Sequence, residues 1–341
     1  MNPVISRLPI VVINVFSRCN CRCEMCDIWQ TAETHRVDVD TLQRQIEALS
    51  DLGLEWVVFS GGEPLMHPQI LDLCKLVRTR GLRLTLLSTG LLLDRFSAVI
   101  AEHVSEIIVS LDGPPPVHDD IRRVPGAFAK LTAGVASVRT HSPNLPISAR
   151  CTIQLKNCDR LLETVYTARV LGVNSISFLA VDVESTAFNR LKVLDQVKQD
   201  ELTPGGAKLR ILDDQIERLI DSGHCGDFIL ETAAKLRRIS ELFRCRAAKA
   251  TPVAPRCNAP WNSLVLEADG SVRPCFFHKP YGFLTDADIW QIVNGPEAIA
   301  FRSGLSIPDN PVCQRCVCAL NYKPQSEIQP EAERVELAGL G

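Results

Sequence analysis

Residues 9–26, PIVVINVFSRCNCRCEMC, decide how this chain is read. The first part, Pro9–Phe16, is a short apolar run rich in Val and Ile. That is the composition of a strand buried on both faces of a parallel sheet. The second part ends the run and crowds Cys19, Cys21, Cys23 and Cys26 into one loop. Cys19, Cys23 and Cys26 form a C-x3-C-x2-C set just beyond the strand. Three thiolates this close can hold three irons of a four-iron cluster and leave the fourth without a protein ligand. Tetrahedral zinc is the competing use of the same thiols. The place suits chemistry, because barrels build active sites at the C-terminal ends of their strands.

Outward from that loop the same pattern repeats. Trp56–Ser60, Arg83–Ser88, Ile107–Ser110, Ile147–Ile153 and Ser175–Leu179 are further short apolar runs. Helical periodicity fills the gaps. Leu42, Ile46 and Leu49 fall at i, i+4 and i+7 before Gly53; Ile70, Cys74 and Val77 do so before Gly81; Leu161, Val165 and Ala168 do so before Gly172. Alternating strands and helices predict an α/β fold of right-handed βαβ units. Six units fit. That count favours a partial, open barrel over a closed eight-stranded one, with a flat doubly wound sheet as the alternative.

Beyond residue 180 the texture changes. Residues 181–250 are charged and helix-prone; Ile211, Ile216, Leu219 and Ile220, then Leu236, Ile239, Leu242 and Phe243, predict two amphipathic helices. This stretch reads as a helical bridge. Pro252 and Pro255 mark a boundary, and residues 251–323 read as a small α+β module. In it Ser263–Glu267 and Ser271–Arg273 flank Asp269–Gly270, a hairpin turn. Residues 324–341 are polar and read as a frayed tail. With 37 basic and 40 acidic side chains, the chain offers no electrostatic case for a nucleic-acid or anionic-membrane partner. No apolar run reaches the roughly 18 residues of a membrane span. Fourteen cysteines without an export signal indicate a reducing, cytoplasmic setting and metal or redox use rather than disulfides.

The triplet and several positions after it resemble the radical S-adenosylmethionine (radical SAM) superfamily. Ser60–Gly61–Gly62–Glu63–Pro64 ends the second run, where relatives hold the SAM amino group. Ser88 ends the third run, and Ser110–Leu111–Asp112–Gly113 resembles the family's SxDG segment near the ribose. Arg122, with Arg123 as the neighbouring alternative, matches the arginine of R-x3-G-x-F that contacts the SAM carboxylate. The resemblance implies a partial (β/α)6 barrel over residues 1–180. It also implies a [4Fe–4S] cluster on Cys19, Cys23 and Cys26, SAM cleavage to a 5′-deoxyadenosyl radical, and hydrogen abstraction from a small-molecule or peptide substrate. A flavodoxin- or ferredoxin-type donor would supply the electron. Relatives often carry an aromatic residue before the third cysteine, where this chain has Met25. Cys21 is out of register and reads as a bystander.

A second set lies near the other end. Cys257, Gly270, Cys275, Cys313, Cys316 and Cys318 resemble the SPASM and twitch extensions of the same superfamily, which hold auxiliary iron–sulfur clusters. The resemblance implies a second [4Fe–4S] cluster on Cys257, Cys275, Cys313 and Cys316, with Cys318 as a possible substitute for one ligand and zinc as the alternative occupant. Such a cluster would accept an electron from the substrate and oxidise it, or bind the substrate, or relay electrons; the sequence does not choose among these. His278, in Phe276–Phe277–His278–Lys279, reads first as a solvent-exposed loop residue, with a place facing the substrate cavity as the alternative.

Overall fold

A computed structural model describes residues 1–324. Residues 325–341, most of the predicted tail, lie outside the described residues. The six apolar runs form β1 (Ile10–Phe16), β2 (Trp56–Gly61), β3 (Arg83–Ser88), β4 (Glu106–Ser110), β5 (Ile147–Ile153) and β6 (Ser175–Ala180). They pair in parallel in chain order, β1 to β6. Between them run α1 (Val39–Ser50), α2 (Ile70–Thr79), α3 (Leu93–His103), α4 (Pro115–Arg122), α5 (Ala127–His141) and α6 (Leu161–Leu171). Each predicted stripe is the buried one: Leu42, Ile46 and Leu49 on α1, and Ile70, Cys74 and Val77 on α2, are at most 2% exposed. Burying a side chain of this size contributes about 1.5–3 kcal/mol. These stripes therefore fix which face of each helix meets the sheet. The result is the open, partial (β/α)6 arrangement rather than a closed barrel.

After β6 come α7 (Gln196–Leu202), α8 (Gly206–Asp221) and α9 (Ala233–Ala247). In α8 the inner stripe is Leu212, Ile216 and Leu219, whereas Ile211 is 40% exposed. The predicted stripe began one residue early. Then follow α10 (Ala259–Asn262), β7 (Ser263–Leu266), β8 (Ser271–Arg273), β9 (Gly282–Phe283), α11 (Ile289–Val293), α12 (Pro296–Gly304) and α13 (Pro311–Gln314). β7 and β8 pair antiparallel around Gly270, whose φ of +86° is the left-handed conformation that such a turn assigns to glycine. β7 also pairs in parallel with β1, Ile10 against Ser263 through Ile13 against Leu266. One nine-stranded sheet thus runs from β6 through β1 to β9, and the cysteine-rich segment is an extension of the barrel's own sheet. No helix among the described residues is long and apolar enough to cross a membrane.

Candidate functional site

The cysteine loop leaves β1 at Ser17 and packs on the end of β2. Gly62 N donates to Phe16 O at 2.9 Å and Glu63 N to Arg18 O at 2.8 Å. A Cβ on Gly62 would lie 2.1 Å from the Arg18 oxygen, and Gly61, at φ +114°, would place one 2.7 Å from Phe16 O. The two glycines therefore let the cysteine loop itself come close. Glu63 is fully buried behind them. Thr89 donates to it through its amide and its hydroxyl, both at 2.6 Å, and Ser88 Oγ donates at 3.0 Å. Burial holds its pKa above the usual carboxylate range, against those donors. Pro64 opens a single 3-10 turn, Pro64–Met66.

Cys19, Cys23 and Cys26 line one cavity together with Gly61, Gly62, Ser88, Ser110 and Arg122. Cys21 does not line it and is 1% exposed. Cys23 is lowered to about 7, chiefly by the thiol of Cys21, against burial and with help from the Arg122 guanidinium. Burial pushes Cys26 up to about 12, opposed by the Ile28 amide. Arg122 reaches Cys23 Sγ through Nη1 at 3.6 Å and Asp112 Oδ2 through Nη2 at 2.6 Å. Asp112 is fully buried. Its other oxygen accepts from the Thr152 amide at 2.9 Å, and Asn157 donates to its carbonyl at 2.9 Å. Asp112 thus faces Arg122 and the chain rather than the cavity. Arg123 points elsewhere, to Glu24 at 2.5 Å.

Other wall residues went unread in the sequence. Arg150 lies two residues before Thr152 on β5, so period-two alternation places both on the cavity side. Asp182 lines the same wall and is held by Arg190 at 2.5 Å, while Arg190 also donates to the Met25 carbonyl at 2.6 Å. That pair ties the chain after β6 to the cysteine loop. A buried pair of this kind costs about 3–5 kcal/mol to break from one side.

A second cavity is lined by Cys257, Cys275, Cys313, Cys316 and Cys318. Cys318 lines both cavities. Burial pushes Cys275 and Cys313 up to about 12. Amide N–H groups act on several of these sulfurs: Ala259 on Cys257, Phe277 and His278 on Cys275, and Cys318 on Cys316. Such donors favour thiolate, the form that ligates metal. His278 is not a surface residue: it is 9% exposed and its Nε2 lies 3.4 Å from Cys313 Sγ. Among the described residues no three Cys, His, Asp or Glu side chains converge on one point as a single ion requires. The thiols of each set line one cavity wall. All fourteen cysteines are free.

The sequence profile of the radical SAM superfamily matches residues 13–181. A profile described as an iron–sulfur cluster-binding domain, SPASM, matches residues 257–317. The AdoMet-dependent heme synthase of Methanosarcina barkeri is 28% identical over 159 residues, 45% of each chain. This chain therefore spans less than half the length of that relative. The PqqA peptide cyclase of Ruegeria pomeroyi is 27% identical over 313 residues, 88% of this chain and 77% of the relative. The structure of Streptococcus suis SuiB bound to S-adenosylmethionine shares the fold at a TM-score of 0.64 and 15% identity, covering 93% of this chain and 73% of that one.

Proposed function

Because this chain belongs to the radical SAM superfamily, and is an enzyme with a SPASM-like C-terminal domain that uses a [4Fe–4S] cluster, an auxiliary iron–sulfur cluster and SAM, we propose that it oxidises a peptide or small molecule between its two thiol sets. The observation that carries this reading is the cavity that begins at Cys19, Cys23 and Cys26 and ends at Cys318, in the wall of the second thiol pocket.

Cys19, Cys23 and Cys26 hold the first cluster, and Cys257, Cys275, Cys313 and Cys316 the second. When bound, the first cluster and SAM would supply radical hydrogen-abstraction chemistry, with the electron coming from an external one-electron donor of flavodoxin or ferredoxin type. The chain's own groups orient and screen. Glu63, fully buried behind Gly61 and Gly62 and held by Ser88 and Thr89, braces the wall where the SAM ammonium would lie. Arg122 offers positive charge to its carboxylate, and Asp112 keeps that guanidinium in place. Ser110 offers a hydroxyl at the cavity wall. The apolar second pocket would exclude water from an auxiliary cluster held there.

A peptide substrate is supported by the relative aligned over most of this chain, whose name is a peptide cyclase. The test is anaerobic incubation with SAM and dithionite. Formation of 5′-deoxyadenosine and methionine is expected from the intact chain and not from Cys23→Ala. Cleavage that persists in the variant overturns the site assignment.

A further inference from the structure

The second thiol pocket is walled almost wholly by carbon and sulfur. Besides the five cysteines, its lining holds two polar side chains among the described residues, Ser263 and His278. Ser263 Oγ already donates to the Ala259 carbonyl at 3.0 Å. That leaves the imidazole of His278 as the pocket's side-chain donor, with Nε2 3.4 Å from Cys313 Sγ.

The position of this donor is informative. Backbone amides act on Cys257, Cys275 and Cys316. At Cys313 an imidazole takes their place. The ring is fixed rather than swinging: it meets Phe301 edge-on at 4.8 Å and 68°. Arg273 Nη1 also donates to the His278 carbonyl at 3.2 Å. A ligating thiolate carries no proton, so the hydrogen between these atoms must come from the ring. The contact therefore requires the tautomer with hydrogen on Nε2.

We infer that His278 is a positioning residue whose Nε2–H donates to the Cys313 sulfur and holds the reduction potential of the auxiliary cluster above the value that its apolar pocket alone would give. An added electron makes a cluster more negative, and an apolar wall disfavours that charge. A hydrogen bond to a ligating sulfur stabilises the electron-rich state and raises the potential. The auxiliary cluster thereby becomes a better electron acceptor, the property that substrate oxidation needs. The inference rests on the proposed assignment of Cys313 as a ligand.

The test uses reconstituted holoenzyme in a redox titration followed by electron paramagnetic resonance. His278→Phe keeps the ring and removes the donor. It is expected to hold full iron and to shift the auxiliary couple about tenfold towards the oxidised form at a fixed potential, which is 59 mV for one electron. His278→Gln restores an N–H and should recover at least half of that shift. In the unmutated enzyme labelled with ¹⁵N-histidine, the reduced auxiliary cluster should show hyperfine coupling from a non-ligating nitrogen. An unmoved potential at full iron overturns the inference. So does loss of the auxiliary iron in His278→Phe, which would make the residue a scaffold, or failure of Gln to recover any shift, or absence of the coupling. None of these readouts needs SAM cleavage. Zinc in place of the second cluster would instead refute the auxiliary-cluster assignment itself.

Discussion

The two thiol sets share an element and differ in surroundings. The first lies in a loop among charges: Arg122 against Asp112, Glu63 beneath the glycines, Arg150 and Asp182 on the facing wall. The second lies in an apolar pocket with one imidazole. A charged surround suits a zwitterionic cosubstrate, which must be gripped at both its ammonium and its carboxylate. An apolar surround suits an electron store, because it excludes water and leaves the potential to a few hydrogen bonds. The same ligand chemistry is thus put to two uses by what is packed around it.

Substitution separates the two uses. The largest effect is expected from Cys23→Ala: 5′-deoxyadenosine falls below detection while about four irons per chain stay in the second pocket. Iron assay and chromatography read both. Equal loss of iron from both sites would erase the distinction. Arg122→Met leaves Asp112 buried without its guanidinium, a change that costs about 3–5 kcal/mol. It should lower SAM turnover and the denaturation midpoint together, and leave the second cluster's spectrum unmoved. Cys275→Ala should lose about half of the iron and keep uncoupled SAM cleavage; full retention of iron would refute the second ligand set. Gly62→Ala drives a methyl against the Arg18 carbonyl, a steric cost of about 1–3 kcal/mol, read as a lower denaturant midpoint with the second cluster intact. The smallest effects belong to Cys21→Ser and Cys318→Ser. Both should keep about eight irons, and loss of four from Cys318→Ser would make it a ligand in place of a neighbour.

Much of this was legible. Apolar runs of four to eight residues with 3.6-period stripes between them named all six parallel strands, because burial on both faces leaves a local signature. The Asp269–Gly270 turn was legible because its φ demands glycine. Pairing of β7 with β1 was not, since the partners lie some 250 residues apart and a parallel pairing writes no turn between them. His278 was misread as exposed: one histidine after two phenylalanines has no periodicity, and its burial depends on Phe301 of α12 and Cys313 of α13. Only the fold shows that what approaches Gly61 and Gly62 is the backbone of the cysteine loop, with the Arg18 carbonyl nearest to Gly62. Arg150 was not read, because nothing local marks it; its place on β5, two residues from Thr152, puts both on the cavity wall.

The central claim is that one cluster meets SAM and the other does not. The most direct measurement is electron paramagnetic resonance of the anaerobic, reduced, reconstituted chain with and without SAM. The account predicts two cluster signals, of which only the one missing in Cys23→Ala changes on adding SAM. Both signals unmoved by SAM, or the change falling on the signal missing in Cys275→Ala, would contradict it.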